Sequence, residues 1–283
     1  MKIQESCLNW YGGKGGRHQR KILREILEYI DKSNKKVFVD VFGGSGIVTI
    51  NVKNKIRKYN DLNLDLFNFF EVLKDEKLSE DLSKRLILTL YHEEIYNKAK
   101  KEVLSTQDFK TPNLERAINF YISTMQSYNS LGAMKISCGF RTSNTKMRNG
   151  MSQAVSSWRS NVDLNLKNAI EEFRKCEVYN YDFIECINKF DSQNTVFYLD
   201  PPYISDTRNS KNVYLNELNK DRHIEMVDKL LKIKGQAILS GYDHIIYKPL
   251  EDNGWIKKEI NVKTSSSKRG KNARVECIWY KEN

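Results

Sequence analysis

Three features of the sequence predict a doubly wound, mostly parallel α/β sheet carrying an inserted, mainly helical domain. Short apolar strands alternate with amphipathic helical patterns at both ends of the chain. A glycine-rich turn follows the first strand at once. Between the two ends, from about residue 62 to 165, the texture becomes helical and then aperiodic. The predicted organisation is therefore a sheet domain from 1–61 and 166–283 interrupted by an insert at 62–165.

The elements follow in order. Residues 17–31 set Ile22, Leu23, Ile26, Leu27 and Ile30 at helical spacing among basic residues, which makes an amphipathic helix. Val37 to Val41 is a short apolar run rich in β-branched residues, a buried strand. Gly43, Gly44 and Gly46 come next, and a helix begins at Ile47 despite its β-branched content. A second strand ends near Tyr59. Helical spacing then governs 62–74, 79–91, 93–104 and 114–128, whereas 129–165 fills with Ser, Asn, Gly, Thr and basic residues and is expected to be a loop or hairpin excursion. Strands return at 177–179, 196–199 and 237–240, with a helix at 220–233 and a closing hairpin from 256–262 and 275–280.

Composition narrows the class. The 283 residues suffice to bury a sizeable core, and 40% hydrophobic against 29% charged residues argues against disorder. No apolar run approaches the roughly 20 residues that cross a bilayer, and no apolar segment follows the N-terminal lysine as a secretory signal requires. The five cysteines are scattered without a CxxC pair and the four histidines lack ligand spacing, so reduced thiols, a cytoplasmic location and no metal are expected. The net charge of +11 is clustered at Lys14, Arg17, His18, Arg20, Lys21 and Arg24, at Arg141, Lys146 and Arg148, and at Lys268, Arg269, Lys271 and Arg274. Such clusters suit phosphate neutralisation, although a lysine-rich solvated surface explains the total alone.

Three motifs carry chemistry. Val39-Asp40-Val41-Phe42-Gly43-Gly44-Ser45-Gly46 runs from a strand into a turn where backbone can approach a ligand closely. Its spacing departs from GxGxxG, and a purely structural turn fits it about as well. Asn60-Asp61 closes the next strand about fifteen residues later, where a carboxylate meets ribose hydroxyls or caps a helix. Asp200-Pro201-Pro202-Tyr203 follows an apolar strand and is the most specific signal. Two prolines stiffen the corner and remove two donors, so the Asp200 carboxylate and the Pro201 carbonyl offer two acceptors to the two hydrogens of an NH₂ group. They stabilise positive charge growing on that nitrogen, and Tyr203 supplies a face for an unstacked base.

Together with Trp10-Tyr11-Gly12-Gly13-Lys14, these motifs resemble the Dam-type DNA adenine-N6 methyltransferases, and their order resembles the alpha arrangement of amino-methyltransferases. The resemblance runs from Asn9 to the C-terminal strand and is weakest across the insert. It implies a Rossmann-like S-adenosylmethionine-dependent methyltransferase core, with S-adenosylhomocysteine as product and no metal. By this resemblance Trp10 and Lys14 close over the cofactor, Lys14 at its methionine end or at the active-site carboxylate. Phe42, Gly43, Gly44 and Ser45 line the methionine portion, Asp40 is a further cofactor-binding residue, and Asp61 binds the ribose. Asp182 and Phe183 meet the cofactor's adenine, although an N-cap followed by a core aromatic explains that pair as well. Asp200 also borders the cofactor. Many relatives carry a cysteine or alanine within the glycine loop, a small change here.

The resemblance makes the insert the DNA-recognition region, with Arg141, Asn144, Lys146, Arg148, Trp158 and Arg159 as donors, acceptors and a stacking group, and Arg17 as a phosphate contact. The expected reaction flips adenine out of double-stranded DNA and methylates it by direct in-line attack. The expected enzyme acts as a monomer on duplex DNA in the cytoplasm of a prokaryotic or phage-infected cell, alone or with a cognate restriction endonuclease. At this level cytosine-N4 and RNA adenine substrates remain open, as does a non-catalytic nucleic-acid-binding module on the same scaffold.

Overall fold

The structure, a computed structural model, describes residues 3–16, 19–105, 108–134, 137–204, 218–263 and 273–281. It divides into two compact units. The first comprises 1–13, 44–46 and 63–178, and the second 14–43, 47–62 and 179–283.

The second unit is built on a sheet. Its strands are β1 (Val37–Asp40), β2 (Ile56–Asn60), β6 (Thr195–Leu199), β7 (Gln236–Gly241), β8 (Ile256–Lys263) and β9 (Ala273–Tyr280), in the order β2-β1-β6-β7-β9-β8, while β5 (Cys176–Tyr179) falls almost wholly among the first unit's residues. Pairing is parallel from β2 through β1 and β6 to β7, and β9 runs antiparallel between β7 and β8. β6 reads Thr-Val-Phe-Tyr-Leu with all five residues buried, as a strand covered on both faces must. The covering helices are α1 (Arg20–Lys32), α2 (Ile47–Asn51), α9 (Phe183–Phe190), α10 (Lys220–Leu230) and α11 (Lys248–Asp252). Val39, Val41, Phe197, Leu199, Met226, Leu239 and Trp279 belong to one core cluster between sheet and helices.

This order fixes where a ligand binds. The chain leaves β1 for β2 on one side, while β6 lies on the other side of β1. Connections that diverge in this way leave a crevice beyond the carboxyl ends of the two strands, where open α/β sheets hold their ligands. Asp40 is in register with Tyr198, and the Val41 amide donates to the Tyr198 carbonyl at 3.0 Å. The turn after β1 and the corner after β6 are therefore neighbours.

The first unit is mainly helical, with α3 (Leu64–Lys74), α4 (Glu76–Leu88), α5 (Glu93–Ser105), α6 (Leu114–Met125), α7 (Gln153–Ser160) and α8 (Leu166–Phe173). α6 packs against α3, α4 and α5, with Phe69 stacked on Tyr121 at 5.6 Å. A two-stranded hairpin, β3 (Met147–Arg148) and β4 (Met151–Ser152), turns through Asn149 and Gly150, both at positive φ. The sequence reading of 129–165 as loop or hairpin holds for this hairpin but not for 153–165. There a single π turn at 161–165 joins α7 to α8 in one helical run. The Ser152 side chain caps it by accepting from the Val155 amide, and the buried positions include the small residues Ala154 and Ser156. Small polar residues on the inward face hid the helical period.

Candidate active site

Lys14 is the centre of the site. Its ammonium, 1% exposed, donates to both carboxylate oxygens of Asp200 at 2.8 Å and to the Tyr203 hydroxyl at 2.7 Å. Glu276 on β9, also buried, approaches the same ammonium at 3.6 Å. The Gln19 side-chain amide holds the far oxygen of Glu276 at 2.6 Å. The Tyr203 hydroxyl has one proton to give and two acceptors, Asp200 at 3.2 Å and Glu276 at 3.4 Å. Its ring meets Tyr242 edge-on at 4.6 Å.

Burial alone works against the Lys14 charge, but Asp200 and Glu276 outweigh it and the amine stays charged above its ordinary range. Burial pushes the Asp200 carboxyl above the usual carboxylate range, with Lys14 opposing. Among the described residues one ammonium faces two carboxylates in this cluster, an excess of acid over base. A surplus of negative charge fits a cationic ligand or a nitrogen that becomes cationic during reaction.

The neighbouring strand ends are pinned by Asn60. Its amide donates to the Val41 carbonyl at 2.9 Å and the Tyr181 carbonyl at 3.0 Å, and its oxygen accepts from the Tyr181 amide. Gly43 donates to the Asn60 carbonyl at 2.8 Å. A Cβ at Gly43 would lie 2.1 Å from the Tyr59 ring, so only glycine fits. Asp61 follows with its amide on the Tyr179 carbonyl at 3.2 Å. Asp40 lies under the turn, 1% exposed, accepting from the Thr49 hydroxyl at 2.7 Å through one oxygen. Its other oxygen has no partner among the described residues, and burial pushes this acid up to about 7.

A family model of the D12 class N6 adenine-specific DNA methyltransferases matches residues 10–263, most of the chain. The chain belongs to that family. A modification methylase, StsI of Streptococcus sanguinis, is 28% identical over 217 residues, covering 73% of this chain and 30% of that protein. The chain thus spans less than a third of that relative's length.

D12 membership frames the remaining sequence-predicted residues. The second unit brings Lys14, Asp40, Phe42, Gly43, Asp61 and Asp200–Tyr203 to the carboxyl end of its sheet. Phe42 packs on Phe183 at 5.6 Å. Asp182 accepts from the Ile184 amide as the N-cap of α9, and its other oxygen pairs with Arg222, whose guanidinium lies 4.3 Å over Phe183. The local geometry of that pair is the cap-and-core-aromatic arrangement. In the first unit, Trp10 closes a turn through its carbonyl to the Gly13 amide and packs near Phe120. Gly44, at positive φ, lies beside the Trp10 ring, and Ser45 is buried with its carbonyl on Ser6.

Of the expected DNA contacts, Asn144, Lys146, Arg148 and Arg159 are exposed, and Arg159 is paired with Asp163 at 3.5 Å. Arg141 is half-buried, its backbone tied to Gln126 and Tyr91. Trp158 is a correction. It is 5% exposed, donates to the Thr89 carbonyl and packs near Tyr91 and Tyr121, so it serves the core of its unit rather than stacking on a base. Arg17, His18, Lys268, Arg269 and Lys271 lie outside the described residues, as does the Arg274 side chain. No cluster of three metal-ligating side chains exists among the described residues, and no described helix is long and apolar enough to cross a membrane.

Sequence reasoning missed Glu276 and His223. Glu276 alternates with Val275 and Cys277 in an otherwise ordinary strand, and its only signal is an acid in a buried strand position.

Proposed function

We propose that this chain transfers a methyl group from S-adenosylmethionine to the N6 amino group of adenine at specific sites in double-stranded DNA. One observation carries the reading. A partly exposed carboxylate, Asp200, sits on a proline-stiffened corner at the sheet's switch point, clasped by the buried Lys14 within an acid-rich cluster. Membership of an adenine-specific family supports the same substrate.

Bound S-adenosylmethionine supplies an electrophilic methyl group on a cationic sulfur. The chain's residues do the rest by position and charge. Asp200 and the Pro201 carbonyl accept from the two N6 hydrogens and stabilise the charge that grows on nitrogen, Pro202 stiffens the corner, and Tyr203 gives the everted base a face. Lys14 holds Asp200 in place before substrate arrives and has Glu276 as its second partner when the amine engages. The motifs assign Trp10, Phe42, Gly43, Gly44 and Ser45 to the methionine end, Asp40 to the cofactor as well, and Asp61 to the ribose. Phe183 borders the adenine, and Asp182 reaches it by sharing its carboxylate with Arg222. The insert at 62–165 is the target-recognition domain, with Arg141, Asn144, Lys146, Arg148 and Arg159 toward DNA and Arg17 on phosphate. The enzyme acts as a monomer, and its modification-methylase relative supports a partnership with a restriction endonuclease.

Labelled-methyl transfer to duplex oligonucleotides, followed by nucleoside analysis, tests this. The expected product is N6-methyladenine. Asp200→Ala should lower transfer by about 10²–10³-fold or more while leaving the fold intact, as loss of a preorganised group facing developing charge does. Near wild-type transfer by that variant, or label on cytosine, would overturn the assignment.

A further inference from the structure

His223 on α10 is fully buried and belongs to none of the motifs above. Its Nε2 lies 3.2 Å from the Pro202 carbonyl, and its Nδ1 lies 2.9 Å from the Tyr247 hydroxyl. The partners dictate the protons. A proline carbonyl only accepts, so Nε2 carries the hydrogen. In the neutral ring Nδ1 then accepts, and the Tyr247 hydroxyl donates to it. Tyr247 is itself fixed, 1% exposed and packed against Trp279 at 4.8 Å.

The bond acts on the one angle that matters. The proline rings fix φ at 201 and 202, which leaves only the two ψ angles free within the corner. Rotation about ψ of Pro202 swings its carbonyl oxygen, and with it the amide and side chain of Tyr203. Anchoring that oxygen to a rigid imidazole sets where the Tyr203 ring lies and keeps its hydroxyl 3.2 Å from Asp200. We propose that His223, protonated at Nε2 toward the acceptor-only Pro202 carbonyl and held in place by Tyr247, is a positioning residue that fixes the Asp200–Tyr203 corner. The role assigned rests on reading this corner as the methyl-transfer site.

Two measurements on the full chain test it. Ring ¹⁵N–¹H spectra, with the His223 signals assigned by their loss in His223→Gln, should show the Nε2-protonated tautomer. The Nδ1-protonated form would overturn the proposal whether or not the protein methylates DNA. Single-turnover transfer to the duplex should fall about 10- to 100-fold in His223→Leu with DNA and cofactor affinities unchanged, the scale of a small misplacement in an active site. His223→Gln, whose amide can still donate to Pro202, should recover to within a few-fold of wild type. Equal losses in both variants, or none in His223→Leu, would overturn it. If His223→Leu fails to fold, Tyr247→Phe decides: a smaller loss of rate with Nε2 still protonated supports the positioning role, and an unchanged rate refutes it. A wild-type protein that methylates no DNA while showing the predicted tautomer would instead sink the function and leave the hydrogen bond standing.

Discussion

Among the described residues each unit has an ion pair built on a buried cation, Arg116 in one and Lys14 in the other, and the two are built differently. In the helical unit Arg116 grips both oxygens of Asp65 and gives further hydrogen bonds to the carbonyls of Glu102 and Val103. Its ring neighbour Phe109 lies 4.7 Å beneath the guanidinium. One cation meets one anion, four donors are used, and the fork geometry of arginine suits a fixed partner. In the sheet unit Lys14 faces two carboxylates and a hydroxyl, with a rotatable point charge and a surplus of negative charge. A saturated neutral pair holds helices α3, α5 and α6 together. An over-supplied acid cluster has an acceptor to offer something else.

The largest effect should come from breaking the saturated pair. Arg116→Leu leaves Asp65 buried without its cation, and loss of one partner of a buried pair costs about 3–5 kcal/mol. Chemical denaturation should show this as a lowered midpoint, while methyl transfer measured where the variant remains folded should stay near wild type. A loss below about 1 kcal/mol would make the Arg116 pair no more structural than a surface one.

Asp40 sharpens the contrast from the other side, since it is a buried acid with no cation beside it among the described residues. Its pKa in the fold, about 7, lies above the ordinary 3.8. The folded state therefore holds a proton that the unfolded chain releases, so this contribution to stability is full below the ordinary value and is lost as pH rises through about 7. The scale is about 1.4 kcal/mol per pH unit across that window. Asp40→Asn, which keeps an oxygen for Thr49, should flatten the dependence between about pH 4 and about pH 7 and leave the variant the more stable at the upper end. An unchanged slope in urea titrations would mean that the acid is charged in the fold.

The sheet was legible because its strands are short, apolar and bounded by glycine, proline or acid, and the carboxyl-end motifs sit where such a sheet binds ligands. Asp200 through Tyr203 could be singled out as a candidate corner from four adjacent residues, since two prolines beside an acid admit few structures. Glu276 and His223 could not. Each acts through a partner at least 21 positions away in sequence, and neither neighbourhood departs from an ordinary strand or helix. Trp158 was misread for the opposite reason. Its polar neighbours Ser157 and Arg159 suggested a surface, although it faces inward on a helix whose other buried residues are small. The α9 helix was visible only as Asp182-Phe183, because its eight residues are too few for a period to stand out.

The last test asks what the surplus charge is for. Glu276→Gln preserves volume and an oxygen for the Gln19 amide, but it makes the Lys14 cluster neutral. If the surplus balances a sulfonium, the variant should lose affinity for S-adenosylmethionine, by roughly tenfold on the scale of one charge lost at intermediate dielectric. Affinity for S-adenosylhomocysteine, whose sulfur is uncharged, should hold. Titration calorimetry with both ligands separates the two. Equal weakening would show that Glu276 shapes the cavity through Lys14 and Tyr203, with no electrostatic selection. Stability should change little, since one buried charge is removed while the Tyr203 hydroxyl and Lys14 lose one acceptor and keep Asp200. The sheet-unit pair would then differ from the Arg116 pair in kind, because a single substitution that costs little stability changes what the site binds.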